Sequence, residues 1–143
     1  MSTLDSPGAK RPATVTIVAI VVTIAAILQF VAVILSIFFW VQPGEAQLLA
    51  GAPVSDWYWV MTGTLSAALG LIYVWIAAGL LNGNPQAWLL INLFAVINIF
   101  FALFHLQFGT GWVEIGLNLI LLVLNNTTGA RVWFQTLGSM DAD

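Results

Sequence analysis

The sequence predicts an all-α polytopic membrane protein, a bundle of four transmembrane helices. Three observations carry that expectation. Of 143 residues, 61% are hydrophobic and only 6% are charged, where a soluble domain carries about a quarter charged residues. Mean hydropathy is +1.01, which leaves too little polar side-chain surface to coat a water-soluble globule. The apolar residues also run on continuously, whereas the strands of a membrane barrel alternate over about ten residues. Hydrocarbon offers the backbone no partner, so a continuous apolar span satisfies its own N–H and C=O groups as a helix.

Residues 1–13 read as a disordered cytoplasmic tail containing Pro7-Gly8 and Lys10-Arg11. The membrane domain, 14–134, begins with an apolar run over about 14–41. A signal peptide has an apolar core of about 7–15 residues followed by a small-residue cleavage site. This run is longer and ends at Phe38-Phe39-Trp40, so it is expected to be a retained span. At about 1.5 Å per residue it reaches roughly 42 Å, more than the hydrocarbon core of about 30 Å, and it must tilt or project past the interface. Gln42-Pro43-Gly44 stops it. Residues 44–56 contain Leu48-Leu49-Ala50, which suits a brief helix among the headgroups.

Ser55 or Asp56 supplies a cap for a second helix over about 57–81, anchored at the interface by Trp57-Tyr58-Trp59. Asn82-Gly83-Asn84-Pro85 is a turn, with Gly83 suited to the left-handed position after a helix, Asn84 to the N-cap and Pro85 to the first helical position. A third helix follows over about 86–108. Gly109-Thr110-Gly111 reverses the chain into a fourth helix over about 112–126, the shortest of the four. Arg131-Val132-Trp133-Phe134 reads as an interfacial anchor, and 135–143 as a loose C-terminal tail.

Orientation follows from the cations. Lys10 and Arg11 precede the first span, Arg131 follows the fourth, and no connecting loop has a cation. An even number of crossings puts both termini on one side, and the positive-inside rule makes that side the cytoplasm. The expected location is the cell membrane, multi-pass.

Composition narrows the chemistry. The chain has no cysteine and one histidine, His105, which removes thiolate catalysis, disulfide frameworks, Cys-ligated clusters and a His-rich metal site within one chain. Net charge is −3, and no basic patch invites nucleic acid or anionic lipid. No cofactor is expected.

Polar groups inside the spans are the candidates for function, since each is costly in hydrocarbon unless paired or hydrated. Glu114, Asn118 and Asn125 share one face of the fourth helix by spacing, and Asn98 and His105 share one face of the third, with Asn92 turned elsewhere. His105 and Glu114 flank the reversal at similar depth. They form either a proton-linked pair, each shifting the other's titration, or a structural contact near the headgroups. Asn92, Asn98 and Asn118 line a polar path or hydrogen-bond between helices. Asn125-Asn126-Thr127 and Asn126-Thr127-Thr128 match the glycosylation sequon but adjoin a membrane end expected in the cytoplasm, and are taken as chance.

Two faces of small residues suit close helix packing. Ala25, Gln29, Ala32 and Ser36 form one on the first helix. Gly63, Ala67, Gly70 and Ala77 form the other on the second, with Ser66 alongside. Within one compact bundle they pack on each other. The Gly79-x-x-x-Gly83 match falls at a helix end, where Gly83 is better explained as a cap.

From the second helix onward the layout resembles small four-helix membrane proteins of unknown function found mainly in actinobacteria. The shared features are Asp56-Trp57-Tyr58-Trp59, Gly79-Leu80-Leu81-Asn82-Gly83, Ala87-Trp88 and Trp112. Leu89 stands where a basic residue often follows the Ala-Trp of that family. The resemblance implies the fold and no activity.

Short loops, no soluble domain and two small-residue faces point to a non-enzymatic accessory or structural subunit of a membrane complex. Its partners would be the lipid bilayer with either a membrane protein or further copies of itself. The competing expectation is a small oligomeric transporter or channel in which His105, Glu114, Asn98 and Asn118 line the path.

Overall fold

The structure, a computed structural model, describes residues 10–51, 53–104, 106 and 111–140, and not the side chains of 46, 49, 50 and 138–140. Among the described residues every regular element is a helix. In chain order they are α1 (Ala13–Val41), α2 (Pro43–Ala50), α3 (Asp56–Leu81), α4 (Pro85–Phe104), α5 (Gly111–Asn125) and α6 (Thr128–Met140).

Length and apolarity qualify α1, α3 and α4 to cross a bilayer. The 15 residues of α5 reach only about 22 Å, short of the hydrocarbon core of about 30 Å. Joined to α6 through a break, α5 passes the same test as a pair bent by 58°. By length and composition the chain therefore carries three candidate spans, or four when the bent pair is one crossing. Most of the apolar side chains are turned outward, with Leu28 at 63%, Leu71 at 64% and Val123 at 68% exposed. In water such a surface would aggregate; against lipid it is solvated.

One expectation needs correction. Residues 135–140 are not a loose tail, because α6 continues as helix to Met140; 141–143 lie outside the described residues. Ala130, Trp133 and Phe134 are buried and Leu137 is half-buried, a spacing of three, four and seven that makes one apolar stripe. The helix holds because that stripe has something to pack on. The third helix is described as far as Phe104; of its expected extension to 108 only Leu106 is described, and the Gly109-Thr110 reversal lies outside the described residues. The headgroup helix expected within 44–56 is α2, closed by Gly51 at φ 71° with its N–H on the Gln47 carbonyl.

The chain divides into two compact units, Val21–Trp75 and Met1–Ile20 with Ile76–Asp143. In the first, α1 and α3 meet through their small faces. A Cβ added at Gly63 would lie 3.2 Å from Ser36 Cβ, and one added at Gly70 would lie 3.1 Å from Phe30 Cζ. Near the end of this contact Phe39 stacks on Trp59 with ring centroids 5.0 Å apart.

The second unit has a core of Val15, Val18 and Ala19 from α1, Ile76 and Leu80 from α3, and Ala87, Ile91, Ala95 and Ala102 from α4. Alanines on α4 let its backbone approach closely. The turn between α3 and α4 forms as its residues require. Gly83 sits at φ 74°, the Asn84 N–H returns to the Gly79 carbonyl at 2.8 Å, and Asn84 Oδ1 accepts the Gln86 N–H at 2.8 Å. The α6 stripe then covers this turn: Leu137 Cβ lies 3.0 Å from where a Gly83 Cβ would be, and Trp133 Nε1 reaches the Leu80 carbonyl at 3.5 Å. That carbonyl is in the last turn of α3, where it also accepts the Gly83 N–H at 3.2 Å.

Gly79 has a packing role beside its place near the turn, since a Cβ there would come within 2.5 Å of Ala87 Cβ. Gly79→Ala must push α3 and α4 apart and is expected to cost about 1–3 kcal/mol. Gly116, inside α5, has nothing within 4 Å of an added Cβ, so Gly116→Ala should be neutral or stabilise by up to about 1 kcal/mol. Unfolding of both variants in mixed micelles checks this, and equal stabilities would contradict it.

Candidate functional site

The polar side chains of the second unit collect along the seam between α4 and α5. In helices these amides would otherwise face hydrocarbon, and the antiparallel register of the pair gives them one another. At the Pro85 end, Trp88 Nε1 donates to the Asn125 carbonyl at 2.9 Å and Asn125 Nδ2 approaches the Trp88 carbonyl at 3.4 Å. Beside them Asn126 Nδ2 donates to Asn92 Oδ1 at 2.7 Å and to the Leu122 carbonyl at 2.8 Å. Asn92 Nδ2 in turn donates to the Trp88 carbonyl at 2.9 Å. Asn125 is fully buried, and its Oδ1 is without a hydrogen-bond partner among the described residues.

Thr127 closes this layer. Its Oγ1 donates to the Leu124 carbonyl at 3.2 Å and accepts the Ala130 N–H at 3.4 Å, which makes it the N-cap of α6. Thr14 Oγ1 of α1 lies 3.2 Å from Thr127 Oγ1. One hydroxyl thus ties the end of α5, the start of α6 and the start of α1.

About six residues further along α4, roughly 9 Å by helical rise, is a second layer. Asn98 Nδ2 is 3.5 Å from Asn118 Oδ1, and Asn118 Nδ2 donates to the Glu114 carbonyl at 2.8 Å. Asn98 is exposed although helical spacing puts it on the face of Ala95 and Ala102, which are 1% and 0% exposed. The packing on that face therefore opens at Asn98. The chain matches no family model, no curated protein and no solved structure.

The site residues named from sequence are distributed as follows. Asn98 and Asn118 come together. Glu114 is exposed in the first turn of α5, where a carboxylate complements the positive end of the helix dipole. The His105 half of the proposed His105–Glu114 pair lies outside the described residues. Of the small faces, Ser36 and Gly70 are buried, and Ala25, Ala32, Gly63 and Ala67 are partly covered. Ser36 Oγ is occupied by the Ala32 carbonyl at 2.8 Å. Beside it opens a recess of about 470 Å³ lined by Val33, Ser36, Trp40, Trp59, Gly63 and Ala67, a surface suited to hydrocarbon rather than to chemistry.

Sequence reasoning offered interhelical hydrogen bonding for Asn92 but missed its partner Asn126 and the Trp88–Asn125 contact beside it. Asn92 was turned away from the Asn98 face by spacing alone, yet Asn126 meets it across the seam. The available signal was the register: two consecutive antiparallel helices bring the early turns of the first opposite the last turn of the second.

Asn126→Leu removes the bond to Asn92 and is expected to cost about 0.6–1.7 kcal/mol. Asn92→Leu added to it should cost less than it does alone, because the shared bond is already gone. Strict additivity in a double-mutant unfolding cycle would contradict the pairing.

Proposed function

We propose that this chain is a multi-pass cell-membrane protein that crosses four times with both termini in the cytoplasm. In this reading it is a non-enzymatic accessory or structural subunit that docks another membrane-embedded helix along α4 and α5. Four crossings are supported by what gathers at one end of the second unit. Gly129 lies near Pro12, with 3.7 Å from its added Cβ to the Pro12 ring, Thr127 lies against Thr14, and Leu137 packs on Gly83. An even number of crossings requires that the chain start, the α3–α4 turn and the α6 segment share a side. Lys10, Arg11 and Arg131 belong to that end, and the positive-inside rule assigns it to the cytoplasm.

The observation that carries the docking role is the exposed amide layer at Asn98 and Asn118. Asn98 is the fourteenth residue of α4, about 20 Å along it from Pro85, well within a hydrocarbon core of about 30 Å. With Asn98 Nδ2 directed at Asn118 Oδ1, the Asn98 oxygen and the second hydrogen of each amide have no partner among the described residues and suit a neighbour. Lipid tails offer nothing in return; a polar side chain on another helix does.

The same opening also supports a second reading, a small oligomeric transporter or channel in which water fills the gap and Asn98, Asn118, Glu114 and His105 line the path. Two measurements separate them. Purified in mild detergent, the protein is expected to hold a stoichiometric membrane partner, and Asn98→Val with Asn118→Val should weaken that association about three- to fifteen-fold per lost interhelical bond. A monomer without partners, unchanged by both substitutions, would contradict the docking role. Ion or proton flux in proteoliposomes that Glu114→Gln abolishes would establish the second reading instead.

A further inference from the structure

Beside α6 lies a recess that the polar seam does not use. It has a volume of about 400 Å³ and is lined by Pro85 and Trp88 from the first turn of α4 and by Arg131, Phe134 and Gln135 from α6. Trp88 and Phe134 form a continuous aromatic wall, with ring centroids 6.2 Å apart and planes at 35°. The Trp88 indole N–H is already taken by the Asn125 carbonyl, so this wall offers an apolar surface only. The polar groups of the recess are the exposed Arg131 guanidinium and the exposed Gln135 amide one turn later.

What continues from the recess is equally specific. Leu89, Leu93, Val96 and Phe100 are 63%, 49%, 55% and 56% exposed. Their spacing of four, seven and eleven makes one stripe along α4, starting one turn from Pro85 and running away from Arg131 toward the other end of the helix. A cation with an amide at the top, an aromatic shelf beneath and an apolar track leading into the bilayer form an amphipathic sequence of surfaces.

We propose that the Arg131 recess binds the phosphodiester headgroup of an anionic phospholipid, with an acyl chain laid along Leu89, Leu93, Val96 and Phe100. Guanidinium matches a phosphate oxygen pair in the bidentate manner, and an anionic lipid, with no choline cation to offset that phosphate, is favoured; the Gln135 amide lines the same recess. The sequence has no cluster of basic residues; a single Arg suffices here because the shelf and the track supply the rest of the contact. The site rests on membrane embedding alone and is independent of whether the chain docks a partner or conducts.

The test uses the full chain in mild detergent, titrated with phosphatidylglycerol and with phosphatidylcholine of the same acyl chains and read by native mass spectrometry. The wild type is expected to prefer phosphatidylglycerol about fivefold in the first bound lipid, the attraction typical of one basic residue at an anionic surface. Arg131→Gln should erase the preference, and Arg131→Lys should keep part of it. Lys10→Gln should leave it intact, because Lys10 lines a separate recess with Thr128, Val132 and Trp133. Inorganic phosphate at the same concentration should not displace the lipid. No preference in the wild type, an unchanged preference in Arg131→Gln, or displacement by inorganic phosphate would each overturn the proposal.

Discussion

Everything in this molecule depends on the demand that hydrocarbon makes of polar groups. The backbone meets it by helix formation, which is why connections between elements are short where they are described. Side-chain amides meet it only in part within their own helix, donating to the carbonyl four residues back, and for the rest must find one another. The pairing of Asn126 with Asn92 and of Trp88 with the Asn125 carbonyl is that answer on α4 and α5. Those bonds fix a register that apolar packing alone would leave free to slide. Alanines at 87, 95 and 102 then bring the helix backbone close enough for short amides to reach.

A second constraint comes from the length of α5. Too short to cross as a straight helix, it is extended by α6 after a bend of 58°. The bend frees backbone groups between the two helices, and the Thr127 hydroxyl takes up the Leu124 carbonyl and the Ala130 N–H. The apolar stripe of α6 is then aimed at the α3–α4 turn, where Gly83 leaves room for Leu137 and Trp133 Nε1 approaches the Leu80 carbonyl beside the Gly83 N–H. Polar capping and apolar docking thus act at the same place, and the segment that follows stays helical.

The sequence made the helices legible because each depends on local composition. Pro43, Pro85 and Gly83 mark breaks whatever the partner, and continuous apolar runs mark spans. The meeting of Ser36 with Gly63 was also within reach, since small residues four and seven apart declare a face. What the sequence hid depends on which residues meet at a distance. Asn125 reads as a further polar residue on the face of Glu114 and Asn118, and Asn126 as part of a chance sequon, until Asn92 and Trp88 stand opposite them. Residues 135–140 read as a tail because Gln135, Thr136, Gly138 and Ser139 mask the stripe made by Ala130, Trp133, Phe134 and Leu137. The gap at Asn98 is a property of packing around a position, and no spacing rule reveals it.

The central claim is that the α5–α6 pair returns the chain to the side from which α1 departs. The chain has no cysteine, so single cysteines at Arg11, Gln47, Asn82 and Gln135, labelled with a membrane-impermeant thiol reagent in sealed vesicles, read each position without background. The account predicts that 11, 82 and 135 react from one side and 47 from the other. Reaction of 11 and 135 from opposite sides would mean three crossings, and would contradict it.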